Sequence, residues 1–211
     1  MVRHSLKDAI KIFKKATDKK SATINIALSG GKTPIPFYKA LAKNKEIQFG
    51  KISFFLVDER FVTLTHPASN FKVISKTLIA NLTTPPKKFH HFDTSLSTKK
   101  CLKKYAKEIG KIKFDLVILG IGEDGHFGSI FPYSKAIASK KIVAYTQTSK
   151  FHIKDRLTMT ANTILNSKEI MILLKDKPAV LKELKKSTKS FQEFPANILK
   201  KHRNLSIFDL G

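Results

Sequence analysis

One cysteine, Cys101, stands in 211 residues, so an internal disulfide is excluded. That suits a reducing compartment, and a cytoplasmic location is expected. The thiol lies in a lysine-rich helical stretch, Lys99–Lys107, with no second Cys or paired His beside it, and reads as a small packing residue. Long apolar runs are missing too. None approaches the ~20 residues that span a bilayer, and the opening MVRHSLKDAI carries no hydrophobic signal segment, so no membrane partner is expected. There is no internal repeat, low-complexity linker or break in composition, and the length favours a single α/β domain over residues 1–211.

Arginine and acidic residues are scarce. Of 40 basic residues only Arg3, Arg60, Arg156 and Arg203 are arginine, against 16 acids, and the net charge is +24. Such a charge attracts nucleic acid or small anions. Readers of bases and phosphates favour the planar guanidinium fork, whereas the lysines here are scattered along the whole chain. Weak, salt-sensitive association with nucleic acid is expected, but no specific one. A non-enzymatic nucleic-acid-binding protein stays as the rival reading from a different class. His90-His91 lacks ligand spacing and Cys101 has no His or Cys at zinc spacing, so neither a metal nor another cofactor is expected. A P-loop and a GxSxG elbow are both absent, which disfavours triphosphate hydrolysis and a serine nucleophile.

What is present is an alternation of helix and strand patterns. Ser5–Lys20 carries its apolar residues on one helical face, and Ser5 with Asp8 resembles a capping box. Ala22–Leu28 reads as a short strand ending at Ser29-Gly30-Gly31. A helix follows that Thr33 would cap, with Pro34 at its first position. Ile52–Val57 is a buried strand that ends at Asp58-Glu59-Arg60. Helices are predicted over Ser69–Ala80, Leu96–Ile109 and Pro178–Lys186, and a turn at Pro85-Pro86. Further strands are predicted over Phe114–Leu119, Ile142–Tyr145, Leu157–Thr160, Glu169–Leu174 and Ser206–Asp209. The alternation implies an α/β fold of three layers, a mostly parallel sheet with helices on both faces.

Three strand ends carry polar cargo, and open α/β sheets bring such ends to one crevice. Ser29–Pro34 is a glycine turn opening a helix, able to hold a phosphate or carboxylate or to serve as a plain tight turn. Asp58–Asn70 holds two acids and an arginine, suited either to gripping an anion or to an internal Arg–carboxylate pair that fixes the loop. Gly120–Pro132 follows a buried strand and places His126 among Gly120, Gly122 and Gly125 beside Glu123 and Asp124. An imidazole there can exchange a proton near neutral pH. With no nucleophile nearby it fits general-base activation of water or proton shuffling on a sugar.

Taken in order, LSGGKTPIPFYKAL (Leu28–Leu41), VDERFVTLTHPASNF (Val57–Phe71) and ILGIGEDGHFGSIFP (Ile118–Pro132) resemble the 6-phosphogluconolactonase family. That family lies within the larger group that includes glucosamine-6-phosphate isomerase/deaminase. A fainter likeness continues through Asp155–Leu174, Lys177–Leu184 and Phe194–Leu199. Arg60 and Ser129-Ile130-Phe131-Pro132 resemble the lactonase branch rather than the isomerase/deaminase branch, which stays as the alternative. The resemblance implies a Rossmann-like fold of the isomerase/lactonase type. It also implies hydrolysis of 6-phospho-D-glucono-1,5-lactone in the oxidative pentose phosphate pathway, by a monomer whose partner is that phosphosugar lactone. By the same likeness His126 is the general base, Asp124 orients it or shapes its loop, and Arg60 faces the substrate anion or oxyanion. Arg156 and Lys177 would grip the phosphate, Gly30, Gly31 and Thr33 would line the site, and Asp58 and Asn70 would organise it. Lys32 stands where the family commonly has Ser or Thr and would add a phosphate contact or face solvent. Phe127-Gly128 replaces the usual Thr-Ala and is expected to reshape the wall after the histidine. The segment before the first strand is short for the family, with one helix expected to be trimmed.

Overall fold

Two pentapeptides, Ile52–Leu56, apolar but for Ser53, and the wholly apolar Ile170–Leu174, have every side chain buried. Side chains alternate faces along a strand, so the sheet they join is covered on both faces. The computed structural model describes residues 2–3, 5–18 and 23–211. In chain order the described elements are β1 (Val2–Arg3), α1 (Leu6–Thr17), β2 (Ile24–Leu28), α2 (Ile35–Ala42), β3 (Ile52–Leu56), β4 (Asp58–Arg60), α3 (Asn70–Thr77) and β5 (Lys88–His90). They continue with α4 (Thr98–Ile109), β6 (Leu116–Gly120), β7 (Val143–Gln147), β8 (Asp155–Met159), α5 (Ala161–Leu165), β9 (Ile170–Leu174), α6 (Pro178–Lys186) and β10 (Leu205–Asp209).

The main sheet runs β1-β10-β9-β6-β2-β3-β5, with every pairing parallel. From β2 the chain crosses to β3 on one side, while β6 lies on the other. This reversal opens a crevice beyond the carboxyl ends of β2 and β6, where α/β sheets bind ligands. One connected hydrophobic core backs it, from Phe13 and Phe37 to Leu173 and Phe208. Two buried tyrosines tie the core to strand ends: Tyr38 donates to the Ser29 carbonyl (2.6 Å) and Tyr105 to the Leu56 carbonyl (2.7 Å). Cys101 is buried in this core, and burial pushes its thiol up to about 11, as suits a packing residue.

Several expected boundaries shift for physical reasons. Ser5 does cap α1, accepting from the Asp8 amide, but the helix predicted to reach Lys20 ends at Thr17, where Asp18 leaves helical dihedrals. Lys19, Lys20 and the predicted strand start at Ala22 lie outside the described residues. Thr33 does not cap α2. Pro34 occupies the cap position in helical geometry, and Pro36 in the first turn has no N–H needing a partner. The helix predicted over Ser69–Ala80 ends at Thr77, because Leu78 leaves helical dihedrals and a 3₁₀ turn follows at Ile79–Asn81. Strand β5 escapes the sequence pattern because three residues are too few to show a period.

The larger difference is a second sheet. Asp58–Arg60 does not end in a loop but pairs antiparallel with β8, which pairs with β7. The segments predicted as strands at Ile142–Tyr145 and Leu157–Thr160 therefore belong to this small sheet. No described helix is long and apolar enough to cross a membrane.

Glu183 of α6 fastens the last 3₁₀ segment, Pro195–Lys201, against the molecule. Its carboxylate accepts from the Thr188 hydroxyl, the Lys189 amide (2.8 Å) and the Asn197 amide side chain (2.8 Å). That segment in turn supports the histidine loop, since the Ala196 amide donates to the Gly125 carbonyl (2.9 Å). The Thr188 hydrogen bond, with those of Asn197 and Lys189, holds the Glu183 carboxyl down at about 2. A depressed folded value contributes stability that is whole above the ordinary 4.5 and is lost as pH falls toward about 2. Glu183→Gln is therefore expected to lower the melting temperature at pH 7, with the gap to wild type closing between pH 4.5 and 2. Thermal melts of both proteins across that range check it.

Candidate active site

The crevice holds a cavity of about 540 Å³. Its walls come from the three predicted strand ends, from Lys177 at the start of α6, and from one segment that sequence gave no reason to include. Gly30, Gly31, Lys32, Thr33, Asp58, Arg60, Asn70, Asp124, His126 and Lys177 all line it. Arg156 does not: it is 6 % exposed, and its guanidinium carbon lies 5.4 Å from the centre of the Phe151 ring. Phe151, with Lys150, fills the wall in its place.

The β6 end builds the histidine loop. The Gly125 amide donates to the Gly122 carbonyl (2.9 Å) and the Gly122 amide to the His126 carbonyl (2.8 Å), so the chain folds back on itself within five residues. A Cβ on Gly122 would lie 2.1 Å from both Cε1 and Nδ1 of His126. Glycine is required there because the imidazole packs directly on the backbone. The ring is further framed by Phe131 (centroids 4.9 Å) and Phe151 (5.8 Å, edge-on).

His126 Nδ1 lies 2.5 Å from Asp124 Oδ1, and that same oxygen accepts from the His126 amide (3.1 Å). With Nδ1–H donated to a carboxylate, the lone pair of the neutral ring resides on Nε2. Asp124 Oδ2 accepts from Lys150 Nζ (2.6 Å). Burial alone would raise the Asp124 carboxyl, but the hydrogen bonds from His126 and Lys150 outweigh it and hold the group well below the usual carboxylate range. Asp124 is thus an anion at any working pH.

The β3–β4 end builds the opposite wall on buried carboxylates. Glu59 is fully buried and accepts from the Asn70, Phe71 and Arg60 amides (2.7, 2.8 and 2.8 Å) and the Ser69 hydroxyl (2.9 Å). Desolvation raises its pKa in spite of these donors. The result is a carboxylate set on the N-terminus of α3, where free amides and the helix dipole favour it. Asn70, thereby placed, donates through Nδ2 to Asp58, at its carbonyl (2.9 Å) and Oδ1 (3.2 Å). Asp58 Oδ2 accepts from Ser129 Oγ (2.6 Å), which ties the second strand end to the third.

The internal Arg60–carboxylate pair considered from sequence does not form; the Arg60 guanidinium donates to the Ala68 carbonyl. Gly30 is required where the first strand end meets this wall, since a Cβ there would lie 2.0 Å from Asn70 Oδ1. Asn70 Oδ1 and Ser29 Oγ are buried at the wall with no protein hydrogen bond.

Cations ring the space. Lys32 is exposed at the rim. Lys177 Nζ donates to the Ile121 carbonyl (2.6 Å) and lies 3.6 Å from Glu123. The expected effect of Phe127 on this wall is not found: Phe127 is fully buried in the core and off the cavity, and only Gly128 of the pair lines it. Sequence reasoning passed over Glu59, Lys150 and Phe151 as site-forming residues. Glu59 was visible beside Asp58. Lys150 and Phe151 carry no local signal and arrive only because the β7–β8 hairpin folds over the loop. Among the described residues no three His, Cys, Asp or Glu side chains gather to hold a metal. The arrangement suits a general base held beside a cationic pocket that accepts a small anion.

Residues 1–207 match the family described as glucosamine-6-phosphate isomerases/6-phosphogluconolactonase. A 6-phosphogluconolactonase of Thermotoga maritima is 37% identical over 169 residues, spanning 78% of this chain and 76% of the relative. A crystal structure of 6-phosphogluconolactonase from Thermotoga maritima superposes with a TM-score of 0.85 at 30% identity, covering 100% of this chain and 98% of that one. A monomeric glucosamine-6-phosphate deaminase superposes equally well, with a TM-score of 0.86 over 99% of this chain and 95% of the other. At 20% identity that likeness is one of fold alone.

Gly122→Ala is expected to push the imidazole off its seat while leaving the fold in place. The His126 ring signals in NMR should shift, and any turnover that depends on His126 should fall by roughly 100-fold, the scale of a misplacement near 1 Å.

Proposed function

This chain belongs to the glucosamine-6-phosphate isomerase/6-phosphogluconolactonase family, and from that premise we propose that it hydrolyses 6-phospho-D-glucono-1,5-lactone to 6-phosphogluconate. The observation that carries the proposal is the Asp124–His126 pair, 2.5 Å apart on the wall of a cavity ringed by Lys32, Arg60 and Lys177. Substrates with this reactivity and charge call for one base and a remote anion grip. The curated 6-phosphogluconolactonase relative supports the choice of reaction within the family.

In the proposed mechanism His126 Nε2 takes a proton from water as the oxygen attacks the lactone carbonyl. The tetrahedral intermediate carries its negative charge on the former carbonyl oxygen, and Arg60 stabilises it. Collapse breaks the bond between the carbonyl carbon and the ring oxygen. The imidazolium then returns its proton to that oxygen, leaving a carboxylic acid and a free hydroxyl. Asp124 keeps the imidazole in the productive tautomer and offsets its charge while protonated.

Lys177 and Lys32 hold the phosphate, whose binding energy positions the ring. Arg156, screened by Phe151, adds charge to the pocket rather than the direct grip expected from sequence. Sugar hydroxyls would meet the unpaired Asn70 Oδ1 and Ser29 Oγ. We assign the reaction to the oxidative pentose phosphate pathway on the identity of its substrate and product.

Lactone generated in situ should disappear faster than its spontaneous hydrolysis, and His126→Ala should abolish the excess rate. Full activity in that variant would refute the mechanism, and turnover of glucosamine 6-phosphate would move the chain to the other branch. Asp124→Asn should lower kcat by about 10²- to 10⁴-fold, the range for disturbing a base's tautomer and charge partner, with a much smaller change in KM.

A further inference from the structure

We propose that Lys150 is a positioning residue: from the tip of the β7–β8 hairpin it holds Asp124, and through Asp124 fixes the orientation and charge state of His126. The inference deepens the proposed hydrolysis and rests on His126 acting as its base.

The two carboxylate oxygens of Asp124 are divided between two partners. Oδ1 takes the imidazole (2.5 Å) and Oδ2 takes Lys150 Nζ (2.6 Å). A carboxylate held at one oxygen can still rotate about its side-chain bonds, whereas one held at both has its plane fixed, and so does the ring bonded to it. Lys150 does not come from the histidine loop. It lies in the connection between β7 and β8, which the Thr148 amide closes by donating to the Lys154 carbonyl (3.2 Å). The next residue, Phe151, meets the His126 ring edge-on and covers Arg156. Hairpin and histidine loop are thus joined by a charged hydrogen bond and an aromatic contact side by side. Lys150 itself is half-exposed, with 56% of its side chain accessible. It needs no ligand to hold this position, because its partner is an anion of the protein.

The charged groups around the imidazole are Asp124 and Glu123 from its own loop, Lys150 from the hairpin, Asp58 and Arg60 from β4, Lys177 at the start of α6, and Lys32 at the rim. Of the cations, Lys150 is the one bonded to the carboxylate that carries the ring. Removing its charge leaves Asp124 freer to stabilise imidazolium, so protonation of the ring becomes easier. Its removal also frees the carboxylate plane and loosens the base.

The test is Lys150→Met, which keeps the apolar stem and removes the ammonium, with Lys150→Arg as the conservative variant. In the absence of substrate, the NMR titration midpoint of His126 in Lys150→Met should move to higher pH by roughly half a unit, the size of one charge lost at about 6 Å in a high dielectric. In lactone hydrolysis kcat should fall roughly tenfold, with KM changing less than twofold and the acid limb of the rate profile moving up in the same direction. Lys150→Arg should restore both readouts to within about twofold of wild type. An unmoved titration midpoint overturns the proposal, as does a large rise in KM with kcat preserved, which would make Lys150 a substrate contact. The NMR readout needs no substrate, so a chain that failed to hydrolyse the lactone would refute the proposed function while the Lys150 assignment was still decided by the titration.

Discussion

Asp58 and Glu59, adjacent carboxylates withdrawn from water, dictate how the site is assembled. A buried carboxylate is tolerated only where donors replace its hydration. Glu59 finds four donors, three of them backbone amides and one the Ser69 hydroxyl, and in doing so fixes the start of α3 against β4. Asp58 finds Asn70 and Ser129. Asn70 lies against Gly30, where there is no room for a side chain. Satisfying two charges therefore draws together three strand ends spread along the chain from Gly30 to Ser129. The cavity is what remains between them.

The histidine loop obeys a different constraint, steric rather than electrostatic. Its imidazole rests on the bare backbone of Gly122 and against two phenylalanine rings, so few orientations are open to it. Asp124 then selects among those orientations by hydrogen bonding. The small sheet of β4, β8 and β7 brings its hairpin across the loop and puts Lys150 within reach of the same carboxylate. This small sheet thus adds Val143, Leu157 and Met159 to the core and closes one side of the site. The excess of lysine over the whole surface supplies a background field that favours anionic ligands, while the local cations at the cavity decide where an anion would sit.

Fold alone does not separate the chemistries that share it. A lactonase and a deaminase superpose on this chain almost equally well, as expected when function resides in a few side chains on a common frame. Ser129 belongs to the motif that resembles the lactonase branch, and its hydroxyl donates to Asp58 from the third strand end. A motif read as a family mark thus has a physical task, linking two walls of the pocket. Phe127, by contrast, does not touch the cavity, because its side chain turns into the core.

The parallel sheet and its order of helices and strands were legible along the chain because buried strands such as Ile52–Leu56 and Ile170–Leu174 are largely apolar runs, and period and composition are local properties. So were the three polar strand ends, since a parallel sheet must deliver them to one edge. Ten of the eleven residues singled out for the site line the cavity for that reason. Other features were decided only in three dimensions. The second sheet depends on pairing between residues far apart in the chain, Asp58 with Thr158. The screening of Arg156 by Phe151 and the arrival of Lys150 at Asp124 depend on how a hairpin folds over a distant loop. Sequence determines which residues want burial and which turns the backbone can make; which charge meets which is a matter of contacts between distant segments, and those exist only once the chain has packed.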